Sequence, residues 1–198
     1  MRIEIIEKKV YSFEDLAQNE ELKKNVLAKH QDINIDSCIW YECIIEDQKE
    51  RLNNLGFLDS EIFFSGFCSQ GDGACFECKS FDIDKLLIST NFTEKQKKII
   101  KKVDDLGCLE MTISKNNYGY HYSHEKTRYF TAYFTGEHKR IQALISDFDK
   151  QIEQLRLNAS GEIYSKLDQQ YYFLQEEKQI LETLECNEYE FNIDGSIY

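Results

Sequence analysis

From Ile141 to Leu184 the apolar residues keep one helical register: Ile141, Leu144, Ile145, Phe148, Ile152, Leu155, Ala159, Ile163, Leu167, Tyr171, Leu174, Leu181 and Leu184 fall on one side of a helix. A stripe of that kind belongs to a helix of 3.6 residues per turn, and the rest of the fold must cover it. The register passes without a slip through Asn158-Ala159-Ser160-Gly161. One helix of roughly 70 Å at about 1.5 Å per residue would satisfy it, as would two helices with a kink. Two helices parted at Gly161 are the expected arrangement.

Proline is absent from the 198 residues, where average usage near 5% would supply about ten. Proline-rich linkers and polyproline ligands are thereby excluded. Ahead of the long register the pattern is mixed. Ile3 and Ile5 alternate with Arg2 and Glu4 as a short strand, and Ser12 with Asp15 makes a capping box for a helix to about His30. Asp36 and Ser37 cap a second helix, which Gly56 ends. Residues from Glu61 to Phe81 read as a hairpin covered on both faces, with Ile62, Phe64 and Phe67 buried and a turn at Ser69-Gln70-Gly71-Asp72-Gly73. Thr93 and Gln96 open a helix with lysines outside, closed by Gly107. Three strands, Cys108–Ser114, Tyr118–Glu125 and Arg128–Thr135, make a meander, and a last strand at Tyr189–Ile193 turns at Asp194-Gly195. The fold class expected is α+β: an antiparallel sheet of hairpin plus meander packed by helices, with acidic C-terminal helices alongside. The length suits a single domain over 1–198, with 137–185 as a helical appendage.

Leu, Ile, Val and Phe make up 54 of the 198 residues, above the roughly 20% below which high charge signals disorder. No apolar run approaches the 18 or so residues of a membrane span, and Met1 to Glu7 has acids within its only apolar stretch, so a cytoplasmic location is expected. Seven cysteines without a secretion signal read as reduced, mostly buried thiols. Cys75 and Cys78 are three apart on a strand and diverge, as do His121 and His124, so neither pair holds a metal. Cys68 and Cys75 flank the turn as cross-strand neighbours. No cofactor or metal is expected.

The net charge is −12, from 36 acidic and 24 basic residues, and 137–198 alone holds 13 acids against 6 bases. Such a field disfavours direct nucleic-acid binding and favours a basic partner. Asp147, Asp149 and Glu153 are the acidic cluster singled out for that contact. The glycine-flanked loop is the other candidate: Ser69, Gln70 and Asp72 offer polar groups to a ligand, although Asp-Gly is equally a hairpin-turn signal. A serine or aspartate of the loop with His124 could form a nucleophile and base pair, but no Gly-x-Ser-x-Gly elbow is present, and an enzyme is not the favoured reading.

The string Phe64-Ser65-Gly66-Phe67-Cys68-Ser69-Gln70-Gly71-Asp72-Gly73-Ala74-Cys75-Phe76, with Trp40-Tyr41, Tyr122-Ser123-His124-Glu125 and Asn187-Glu188-Tyr189-Glu190-Phe191, resembles a group of small phage and prophage proteins, some loosely labelled antitoxins of toxin–antitoxin stability systems. The resemblance implies a mobile-element origin and, at matching positions, a shared site of Ser69, Gln70, Asp72 and His124. Three functions are expected to compete. The first is an anti-CRISPR-like inhibitor that occludes the nucleic-acid channel of a basic host defence effector. The second is an antitoxin-like neutraliser of a basic toxin, and the third a nucleotide-signal binding protein or hydrolase built on the loop.

Overall fold

A computed structural model describes residues 8–36, 39–116 and 122–198. Among them lie α1 (Phe13–Leu16), α2 (Glu20–Lys29), α3 (Glu42–Leu55), β1 (Phe57–Leu58), β2 (Glu61–Ser65), β3 (Gly73–Glu77), β4 (Ser80–Phe81), α4 (Ile83–Ile88), α5 (Glu94–Asp105), β5 (Leu109–Lys115), β6 (Arg128–Phe134), α6 (Lys139–Leu174) and α7 (Glu177–Cys186). The fold is α+β with antiparallel pairing. Its contacts cluster in two units: a terminal unit of Met1–Tyr41 with Gln169–Tyr198, and a central unit of Glu42–Asp168. The expected strand at Ile3 and Ile5, the Ser37 cap, Cys38, Tyr118, Tyr120 and His121 lie outside the described residues.

In the terminal unit Leu16, Leu22, Val26, Ile180, Leu184 and Phe191 form the core. The expected helix from Ser12 to His30 is two helices. Asp15 accepts the Ser12 N–H at 2.8 Å, but Asn19 starts α2 afresh by accepting from the Leu22 N–H at 3.1 Å. An asparagine side chain that caps a new start competes with continued helix, and here it prevails. The final strand is reduced to single bridges: Phe191 exchanges backbone hydrogen bonds with Tyr11 at 2.8 and 2.9 Å and bridges Ile197. Lys29 pairs with Asp194 at 2.7 Å to hold the last turn.

Among its described residues the central unit carries three two-stranded sheets, β1–β4, β2–β3 and β5–β6. Ala74, Cys75 and Phe76 are fully covered, so the hairpin is buried on both faces through β3; Ile62, Phe64 and Phe67 are only half-buried. Cys75 stands opposite Phe63, and Cys68 lies in the loop, so the two cysteines are not cross-strand neighbours. β5 pairs directly with β6, Leu109 against Phe134 through Lys115 against Arg128, and the described part of the strand expected between them, 122–125, is not a strand. Aromatic rings run from sheet to helix: Phe76 meets Phe57 at 5.0 Å, Phe57 meets Phe81, Phe81 meets Phe130 at 5.5 Å, and Phe130 meets Phe148. Their edge-on geometry is the preferred one for aromatic pairs.

α6 runs unbroken through Gly161 for 36 residues, about 54 Å at 1.5 Å per residue. The division of the long register therefore falls at Gln175–Glu176, and the parting into two helices expected at Gly161 is absent. Ala159, Ser160 and Ile163 are buried around the glycine, and packing of that stripe outweighs a propensity cost of about 1 kcal/mol. No helix among the described residues is long and apolar enough to cross a membrane.

Candidate functional site

The hairpin loop is closed by its own aspartate. Asp72 accepts from the Cys68 N–H at 2.8 Å and the Ser69 N–H at 2.6 Å, while its own N–H returns to the Ser69 carbonyl at 3.1 Å. Gly66 makes this possible: its φ is +30°, and a Cβ there would stand 2.7 Å from the Asp72 carboxylate oxygens. The loop packs on the segment before β6. Ser65 Oγ donates to the Ser123 carbonyl at 2.9 Å and accepts from the Ser123 N–H at 3.2 Å, and a Cβ on Gly73 would lie 2.8 Å from the His124 ring. The structure thus sets the hairpin that carries Ser69, Gln70 and Asp72 against the His124 segment, through Ser65 and Gly73.

It does not join them chemically. Among the described residues no hydrogen bond links Ser69, Gln70 or Asp72 to the His124 ring. His124 Nδ1 lies 3.2 Å from the Lys126 N–H and 3.0 Å from Glu125 Oε2, so it accepts from one or donates to the other, never both at once. The Thr127 hydroxyl donates to the His124 carbonyl at 2.7 Å and sits 3.6 Å from the buried Cys75 sulfur. Cys78 lies just past the end of β3, and burial pushes its thiol up to about 12, the opposite of an activated nucleophile. No three acidic, histidine or cysteine residues among those described are grouped to hold a metal.

Two of the three acids singled out on α6 do structural work instead. Asp149 Oδ1 accepts the Ala132 N–H at 2.7 Å, and Glu153 Oε2 accepts the Phe130 N–H at 2.8 Å. These amides lie on the edge of β6 that β5 leaves unpaired. Carboxylates four apart on a helix are spaced by about 6 Å along its axis, and amides two apart on a strand by about 6.7 Å. The match lets α6 close the sheet edge. Glu153 also grips Arg156, at 2.7 and 2.8 Å, and Arg156, fully buried, donates to the Glu125 carbonyl at 2.9 Å. Burial is the chief cause raising Asp149 above its usual range; the Ala132 N–H opposes it, and the nearby Glu153 adds to it. Asp147 is exposed and pairs loosely with Lys150 at 3.5 Å.

A strongly acidic concavity is in the terminal unit, where 15 acids against 7 bases give −8 of the −12. A groove of about 750 Å³ has Phe13, Leu16, Ala17, Leu181 and Tyr189 on its lining, with Glu14, Glu20, Glu185, Glu188 and Glu190 around them. Among the described residues Lys23 is the one base lining it, and Glu177 holds it at 2.6 Å and raises its pKa. The Ser12 side chain holds the Glu14 carboxyl below its usual range. Sequence reasoning missed this groove because its two walls, 12–23 and 181–190, are far apart in the chain and meet through the Tyr11–Phe191 bridge. The acid excess of the last third was its only trace.

Searches of curated proteins and of solved structures return no match to this chain. A family model described as a domain of unknown function, DUF8835, matches residues 40–177, which takes in the hairpin loop, α5 and all of α6. That span is well over half of the chain, and the protein belongs to this family.

Proposed function

We propose that the protein is an acidic binding protein that docks on a basic surface, and that its partner is the nucleic-acid channel of a host defence effector, which it occludes in the manner of an anti-CRISPR inhibitor. The observation that carries this reading is the glutamate-lined groove of the terminal unit. Five carboxylates lining one groove together with apolar side chains suit a lysine- or arginine-rich amphipathic segment, which would bury its apolar side while its charges meet the glutamates. The resemblance of the hairpin string to phage and prophage proteins supports a mobile-element origin, and such a protein would act in the host cytoplasm. An antitoxin-like neutraliser of a basic toxin rests on the same groove and differs only in the partner. The small-ligand reading has weaker support, because the Asp72 carboxylate is already occupied by the loop's own amides.

The test is to capture partners from a host lysate that carries its defence systems and to titrate the complex with salt. Raising ionic strength from about 0.1 M to about 1 M shortens the screening length from about 10 Å to about 3 Å. The expected partner is basic, binds nucleic acid, leaves as salt rises, and competes for this protein with its own nucleic acid. A complex insensitive to both salt and nucleic acid contradicts the proposal.

A further inference from the structure

The central unit holds a groove of opposite polarity. It is about 650 Å³ in volume and lies along α5, within the span matched by the family model. Ile99, Val103, Phe134 and Ile141 lie on its lining, and Leu106, 66% exposed, stands at its lip. Lys95, Lys98 and Lys102 follow one another at three and four residues along the same side of α5. Other cations of this helix are engaged: Lys97 pairs with Glu94 at 3.7 Å, which also occupies the one acid on the lining among the described residues, and Lys101 pairs with Asp84. Lys95, Lys98 and Lys102 have no ion pair among the described residues, in a protein whose acids outnumber its bases by twelve.

Three unpaired cations beside an apolar trough are charge-complementary to an anionic amphiphile. The lysines are spread over seven residue steps, about 10 Å of helix, so the complementary charge is a row and not a point. A fatty acid or a single lipid carries its charge at one end and would leave two of the three unmatched. A nucleic-acid strand would set its phosphates over apolar side chains and meet the negative field of the whole chain. A helix with acids at matching steps and apolar residues between them satisfies both features. We propose that this groove is a second docking site, one that takes an acidic amphipathic helix of a protein partner. It is independent of the glutamate groove and carries the opposite charge preference.

The test uses the full chain and a displayed library of amphipathic helices about four turns long, whose polar positions are drawn from Glu, Gln and Lys. Helices are selected on the wild type after depletion on the variant Lys95→Glu, Lys98→Glu, Lys102→Glu, which removes any that bind elsewhere. The expected winners carry Glu at steps of three and four. Synthesised alone, they lose at least about tenfold in affinity to the triple variant, as three rim charges together imply, and lose affinity to Leu106→Ser, while Lys79→Glu leaves binding unchanged. Should the reversal variant fail to fold, the Lys→Gln triple carries the same comparison. Winners that are neutral or basic, equal binding to all variants, or no winners at all would overturn the proposal. So would dodecanoate or phosphatidylglycerol vesicles binding in a Leu106-dependent way where no helix does.

Discussion

At the scale of single residues, buried charge decides more here than exposed charge. Arg156 is fully covered and serves Glu153 and the Glu125 carbonyl together. Replacing it with Met takes from the Glu125 carbonyl its Arg156 donor and leaves Glu153 with the Phe130 N–H alone, and the expected loss is about 3–5 kcal/mol in a urea titration; a change below about 1 kcal/mol would show that Glu153 finds water instead. Asp149 gives a pH dependence whose sign is fixed. Its folded pKa is raised above 3.8, chiefly by burial, so its share of stability is complete below that value and is lost as pH climbs through the raised one. Asp149→Asn keeps an oxygen for the Ala132 N–H but has nothing to titrate. The wild type is therefore expected to lose stability relative to Asp149→Asn as pH rises from about 3.8, and a difference that grows in the wild type's favour contradicts this. Among the thiols, Cys43, Cys68 and Cys186 are exposed and are expected to react first with a thiol reagent at neutral pH, ahead of Cys78, whose pKa burial raises to about 12. Mass spectrometry of a partial reaction reads that order.

At the scale of elements, the parts that could be read from sequence are those set by neighbours in the chain. α5 begins at Thr93, whose hydroxyl accepts from Gln96 N–H while Gln96 returns the bond, and all of this lies within four residues. The hairpin of β2 and β3 was legible for the same reason, from a continuous apolar run around a glycine-rich turn. What could not be read was set from far away. α6 ends where Asn34 donates to the Leu174 carbonyl at 2.9 Å, a contact across 140 residues, and not at the glycine that a local reading favours. Asp149 and Glu153 looked like a free acidic face because the amides they satisfy are 17 and 23 residues away. Likewise α4, begun by Asp82 accepting from Asp84 and Lys85 N–H, hid in six residues too few to show a period. Two consequences can be measured. Gly161 has open space at its Cβ position inside α6, so Gly161→Ala is expected to stabilise by about 0.5–1 kcal/mol; destabilisation would mean that the helix bends there. Phe76 is fully buried on β3, so Phe76→Ala is expected to cost about 3–5 kcal/mol, more than the same change at half-buried Phe64.

At the scale of the molecule, the two units differ in how they use charge. The central unit spends carboxylates on its own sheet edge and leaves a row of lysines beside an apolar trough, whereas the terminal unit, with −8, lines its groove with glutamates. The central claim is that the glutamate groove carries the contact with a basic partner. It is tested most directly by measuring the affinity of one captured partner for three forms of the chain: the wild type, the variant Glu185→Lys, Glu188→Lys, Glu190→Lys, and Asp72→Ala. The account predicts that the triple reversal weakens binding by at least about tenfold and flattens its salt dependence, while Asp72→Ala, if it folds, binds as the wild type does. Full affinity in the triple variant with loss in Asp72→Ala would contradict the account and move the site to the hairpin loop.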